Sequence, residues 1–158
     1  MTTRTKHTYQ TYLYDFIKDI LVVCPQCEAK ALVKTGDFTM LKFDIQGVRV
    51  VCGQCGYNKE LKSISRKHPS IIIGGPIDPF FCLPVWLQAD FSGDLLWAYN
   101  LEHLDFLEQH VGAKLRERNG QPYKVRSIGA RLPRWMTSKS NREAVLKAIE
   151  KLRQKAAD

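Results

Sequence analysis

Five cysteines are present in the chain, and four of them fall into two CxxC pairs, "CPQC" (Cys24, Cys27) and "CGQC" (Cys52, Cys55). A CxxC turn aims two thiolates at one point, half of a tetrahedral site. Two such turns facing each other complete a closed four-sulfur site with metal–sulfur bonds of about 2.3 Å. A thioredoxin-type pair would open a helix in a βαβ setting, but "GYNKEL" after Cys55 has no helical period. No secretion signal is visible, which argues against disulfides. Spacing therefore implies one structural Zn2+ held by Cys24, Cys27, Cys52 and Cys55, closed to water and contributing to folding rather than catalysis. Cys82, alone in "PFFCLP", reads as a small buried apolar residue.

Those turns need strands to hold them. "DILVV" leads into the first pair, while "MLKFDIQGVRVV" and "YNKELKSI" flank the second with the apolar–polar alternation of half-buried antiparallel strands. Gly47 inside the second run marks a bulge or a hairpin turn. Together "CPQC", "CGQCG" and these strands resemble a zinc ribbon, most closely the transcription factor IIB type, over about Ile20 to Ser65. The resemblance implies a three-stranded antiparallel sheet and a four-cysteine zinc site. It is unspecific for function, since such ribbons occur in transcription factors, polymerase subunits, ribosomal proteins and many bacterial proteins. Glu28 departs from the pattern, because a glycine is common after the first pair, and this weakens a rubredoxin-like reading with redox-active iron.

Beyond the ribbon, "IIIGGPIDPFFCLP" (71–84) is too apolar for a loose linker and reads as an ordered, packed connection. "VWLQADFSGDLLWAYN" reads as a β-hairpin turning at Ser92-Gly93. That register puts Trp86, Trp97 and Tyr99 on one face and Leu87, Ala89, Leu96 and Ala98 on the other. An aromatic face can stack bases, but the charges around this one are Asp90, Asp94 and Glu102, so the expectation is that the following helices cover it. Asn100 is placed to cap a helix through "LEHLDFLEQHVGAKLRER", with an apolar stripe at Leu101, Leu104, Leu107, Val111 and Leu115. His103 and His110 on that helix are weighed as a second metal site or acid/base pair, and read instead as surface residues.

In the tail, Pro133 starts a short turn and Trp135 and Met136 anchor the segment to the core. "SNRE" (140–143) reads as a capping box opening a last helix with a buried stripe of Val145, Ile149, Leu152 and Ala156. Lys147, Lys151 and Lys155 line its outer face. With Arg131, Arg134, Lys139 and Arg142 they form the most basic surface the sequence offers, and Arg49, Lys59, Lys62, Arg66 and Lys67 add to it from the ribbon.

Charge is unevenly spread over the 158 residues: +5 over residues 1–67, −6 over 68–111, where there is no Lys or Arg, and +9 over 112–158. A basic tail suggests a polyanionic partner. The alternative is internal, with the tail neutralising the acidic middle. No apolar run approaches the roughly 20 residues of a membrane span and no signal-peptide core follows the N-terminus, so the expectation is a cytoplasmic chain with no membrane partner. A phosphate-cradling glycine loop, a GxSxG motif and a catalytic carboxylate cluster are missing from the sequence, which argues against an enzyme.

The sequence thus predicts an α+β protein: an N-terminal lead over 1–19, a zinc ribbon over 20–67, then a hairpin and two main helices over 68–158. Its expected function is sequence-independent nucleic-acid binding as an accessory in a DNA or RNA transaction, with phosphate contacts from the Lys and Arg residues named. The alternative is a protein–protein adaptor docking through residues 68–111.

Overall fold

A computed structural model of the chain describes residues 4–5, 13–39, 44–62, 74–112, 115–116 and 132–158. In chain order the strands are β1 (Arg4–Thr5), β2 (Ile20–Val23), β3 (Lys30–Lys34), β4 (Arg49–Val51), β5 (Asn58–Glu60), β6 (Leu87–Phe91) and β7 (Asp94–Ala98). Helix α1 (Leu101–Gly112) and strand β8 (Leu115–Arg116) follow, then helices α2 (Arg134–Thr137) and α3 (Arg142–Ala157). Among the described residues no helix is long and apolar enough to cross a membrane.

The cysteine-bearing region forms a four-stranded antiparallel sheet in the order β2-β3-β4-β5, one strand more than expected. The reason is local: each CxxC turn reverses the chain, so each needs one strand in and one strand out. Within β2 and β3, burial alternates along "ILVV" and "KALVK", as side chains that point to opposite faces of a pleated strand require. Gly47 sits in a tight turn with φ +85°, closed by the Val48 N–H on the Ile45 carbonyl. Of "MLKFDIQGVRVV", only Arg49–Val51 is strand among the described residues, and 40–43 lie outside them.

The outer edge of β2 does not face solvent. Val22 bridges Val85, Leu21 donates to the Tyr99 carbonyl, Val23 donates to Pro84, and Trp86 donates back to Leu21. An unpaired edge strand would leave these groups open to another chain. Here the connection from the ribbon to the hairpin closes it.

That connection, expected over 71–84, is packed over 74–84 while 71–73 lie outside the described residues, and its organiser is a buried carboxylate. Asp78 accepts N–H groups from Phe80, Phe81 and Leu83 at 2.9, 2.7 and 2.6 Å. Desolvation still raises its pKa above the ordinary aspartate value, against the lowering by those donors. Cys82, expected to be buried, is exposed with φ +57°, because the loop around Asp78 turns its side chain outward.

Hairpin β6–β7 pairs Phe91 with Asp94 and turns at Ser92-Gly93, both with positive φ, the backbone of a two-residue turn matched to strand twist. Its two faces are covered differently from expectation. Leu87, Leu96 and Ala98 pack under α1 and α3 with Leu104, Val145 and Ile149. Tyr99 and Trp97 instead join the ribbon core with Phe16, Ile20 and Val22. Trp86 leaves that face for the tail, since it precedes β6 at a bend.

Asn100 caps α1 as expected: its Oδ1 accepts the His103 N–H at 2.9 Å, and its Nδ2 donates to the Phe16 and Lys18 carbonyls. The helix ends at Gly112, short of the expected end at Arg118. Leu115 and Arg116 pair in parallel with Arg4 and Thr5, so Leu115 lies in a strand rather than in the helix. Leu101 is 44% exposed while Leu104, Leu107 and Val111 are buried.

In the tail, Trp135 stacks on Phe91 at 5.0 Å and Met136 is buried, the expected anchor. The buried stripe of α3 is Val145, Ile149, Leu152 and Ala156, as its spacing predicts. The capping box does not form. Ser140 lies in a 3-10 turn (Lys139–Asn141) running directly into α3, so the helix starts without the extended backbone a side-chain cap needs. Ser140 Oγ pairs with Ser138 Oγ, and Asn141 Nδ2 donates to the Trp135 carbonyl.

Candidate metal centre and basic surface

The two knuckles repeat one backbone pattern. Cys24 N–H donates to Ala29, and Glu28 N–H returns to Cys24 at 2.9 Å. In the same way Cys52 N–H donates to Tyr57, and Gly56 N–H returns to Cys52 at 3.1 Å. Each loop closes through a left-handed residue at the fourth position after its first cysteine, Glu28 at φ +63° and Gly56 at φ +79°. Glycine takes this conformation freely, whereas a Cβ costs about 1–2 kcal/mol. The first knuckle therefore carries strain that the second does not.

Stacking the knuckles brings four sulfurs together, all within 4.8 Å of one another. Across the knuckles Cys24 Sγ lies 3.7 Å from Cys55 Sγ, and Cys27 Sγ lies 3.6 Å from Cys52 Sγ. A tetrahedron with metal–sulfur bonds of about 2.3 Å has edges of about 3.8 Å, which these two distances match, so the four sulfurs could hold one ion. Cys24 and Cys52 are buried under the sheet, while Cys27 and Cys55 are exposed.

Electrostatics within the cluster point the same way. The Cys55 backbone N–H is the main influence drawing the Cys52 thiol down to about 7. For Cys27, the Ala29 N–H lowers the pKa, but desolvation and the neighbouring cysteines outweigh it and push the thiol up to about 12. Cys52 thus forms a thiolate more readily than Cys27, a difference that a cation at the centre would offset. The cluster is able to hold a metal ion and is consistent with a zinc ribbon.

The expected phosphate-contacting residues divide by environment. Lys147 and Lys151 are exposed on the outward side of α3, and Arg134 and Lys139 are exposed just before it. None of these four has an ion-pair partner among the described residues. Arg142 is instead half-buried, its Nε donating to the Val111 carbonyl at the end of α1. Lys155 lies with its ammonium 4.6 Å from the Trp86 ring centroid. On the ribbon, Lys59 is exposed, Lys62 pairs with Glu60 at 3.4 Å, and Arg49 is half-buried opposite Glu60 in the register. Arg131, Arg66 and Lys67 lie outside the described residues.

Among the described residues the cation that engages the acidic middle is Arg153, which the charge pattern alone did not single out. It reaches Asp105 at 2.5 Å, Glu108 at 2.7 Å and Glu150 at 3.8 Å. Hydrogen bonding first to Glu108 and then to Asp105 raises its pKa further. A signal was present in Asp105 and Glu108, three apart on a helix that the tail had to cover. One arginine thus serves the internal neutralisation considered from the charge pattern.

His103 and His110, expected at the surface, are buried. His103 Nδ1 accepts the Tyr99 N–H at 3.1 Å and its ring stacks on Phe16 at 4.9 Å. Desolvation lowers its pKa to about 3, so it is neutral. His110 stacks on Phe106. Both flank the stripe of Leu104, Leu107 and Val111 and belong to the core. No protein-family model, curated protein or solved structure matches the chain.

Proposed function

We propose that Cys24, Cys27, Cys52 and Cys55 hold one structural Zn2+ in a ribbon of the transcription factor IIB type. On this reading the chain is a non-enzymatic accessory that binds nucleic acid largely independently of sequence. For zinc, the support is the donor set: four thiolates at tetrahedral spacing suit a d10 ion that imposes no geometry of its own. For nucleic acid, it is the separation of charges on the tail. Arg153 takes up Asp105 and Glu108 of α1, while Lys147, Lys151, Arg134 and Lys139 remain exposed without acidic partners among the described residues. Lysines placed like this contact phosphates and release counterions. The aromatics that would anchor an adaptor interface are less available, since Tyr99 is buried and Trp97 packs against it at 5.0 Å.

Fluorescence anisotropy of the metal-loaded protein with labelled single- and double-stranded DNA and RNA across a salt series tests the reading. Four phosphate contacts give a log K against log salt slope of about −3.6 for duplex DNA, and about −2.8 for single strands. Replacing Lys147 and Lys151 by Gln flattens the duplex slope by about 1.8. Absence of binding at low salt overturns the nucleic-acid reading and leaves a salt-insensitive protein partner as the target of search.

A further inference from the structure

The metal centre and the end of the tail helix share residues. Lys30 is three positions past Cys27, and its carbonyl lies 4.0 Å from Cys52 Sγ. Its ammonium reaches across to the Ala156 carbonyl at 2.6 Å. One residue earlier, the Lys155 carbonyl accepts Trp86 Nε1 at 3.1 Å, and the Lys155 ammonium lies over the same indole. Trp86 is itself fixed by its N–H on Leu21, in the strand that leads into Cys24.

The last four carbonyls of a helix have no partner within it, and the helix dipole places negative charge there. In α3 the Ala156 carbonyl takes the Lys30 ammonium, and the Lys155 carbonyl takes the Trp86 indole N–H beside the Asp158 N–H at 3.3 Å; Lys30 and Trp86 are both positioned by the strands that hold the cysteines. The final turn of the helix is therefore capped by the ribbon.

We infer that metal loading of the ribbon docks the C-terminal turns of α3 through Lys30 and Trp86. The metal state then controls how firmly the helix carrying Lys147 and Lys151 is held. The inference rests on the tetrathiolate metal reading. Without the ion the knuckles lose their common centre, and Lys30 loses the fixed backbone from which it reaches Ala156. Lys30 and Trp86 act as positioning residues. Linkage makes the effect reciprocal: whatever factor metal contributes to docking, docking contributes to metal affinity.

Cobalt(II) titration of the full chain separates the two readings, because thiolate-to-cobalt absorption reports the four-cysteine site directly. Hydrogen exchange over 150–157 is followed in the same samples. The expected result is a tetrathiolate cobalt spectrum together with slower exchange in that segment on loading. Lys30→Met and, as a gentler change, Trp86→Phe keep the cobalt spectrum, lose the metal-induced protection, and weaken cobalt binding roughly five-fold or more, the lower end of typical coupling. A normal spectrum with unchanged exchange in the wild type overturns the inference and leaves the metal reading standing. Protection that rises equally in both variants also overturns it. Absence of a tetrathiolate spectrum overturns both.

Discussion

Around the cysteines, β4 and β5 are three residues each and the core beneath them is mostly valine, isoleucine and phenylalanine. Around the tail, α3 runs sixteen residues and presses an unbroken stripe of Val145, Ile149, Leu152 and Ala156 onto α1 and the hairpin. Strands so short are marginal alone, whereas an amphipathic helix with a filled apolar face draws its stability from burial. On the proposed reading the first half draws on an ion as well as its apolar core, and the second on apolar area removed from water alone. The Leu21, Val23 and Trp86 backbone bonds then join two halves with different requirements.

Removing the ion separates them most sharply. Chelation, or Cys52→Ser, removes folding free energy on the order of 10 kcal/mol in small zinc domains. Here the expected outcome is a ribbon that melts first in thermal unfolding, with most helical circular dichroism retained. Unchanged melting after Cys52→Ser would refute a structural metal site.

A change confined to the other half has the opposite signature. Ile149 is fully buried, so Ile149→Ala leaves a cavity costing about 2–5 kcal/mol. Denaturant unfolding should show that loss while the cobalt–thiolate spectrum of the folded protein stays intact. If the spectrum is lost as well, the two halves depend on one another more than their separate cores imply.

The seam between the halves carries a pH dependence. His103 touches Phe16 and Tyr99 from the ribbon core and lies on α1. Its folded pKa is about 3 against an ordinary value of 6.5, so between those values the unfolded chain binds the proton and the folded one does not. Stability is full above this window and falls as pH drops through it, by up to about 1.4 kcal/mol per unit. Urea midpoints measured from neutral pH down into this window should decline for the wild type and decline less for His103→Asn, whose amide oxygen can still accept the Tyr99 N–H.

The smallest expected effect compares the two knuckles. Glu28→Gly relieves a left-handed side chain and should stabilise the metal-loaded ribbon by about 1 kcal/mol, while Gly56→Glu should cost a similar amount. Equal melting temperatures for Glu28→Gly and wild type would mean that Glu28 is held by contacts that offset its strain.

Much of this architecture was legible because it is written in local patterns. The CxxC spacing located the sulfur cluster, Ser92-Gly93 located the hairpin turn, and the 145, 149, 152, 156 spacing located the buried face of α3. Most of what was misread depended on partners far away in sequence, and the rest on turns that no pattern marked. His103 and His110 look like surface residues until the helix that carries them is packed, His103 against Phe16 and Trp97. Ser140 looks like a cap until a 3-10 turn continues into the helix. Arg142, Lys155 and Arg153 look alike as basic residues on one helix, yet they serve a helix end, an indole and three carboxylates respectively.

By itself, then, the sequence determined which residues could gather around an ion and which face of each helix is apolar, since spacing along a chain fixes both. Only the tertiary structure decided that the hairpin's aromatic edge closes the ribbon while its aliphatic face closes the helices. It also decided that Lys30 and Trp86 end α3, and which cations on the tail are occupied. Those outcomes turn on the long-range pairing of edges, carbonyls and charges, and such partners are chosen by the packing of whole elements rather than by neighbours in the chain.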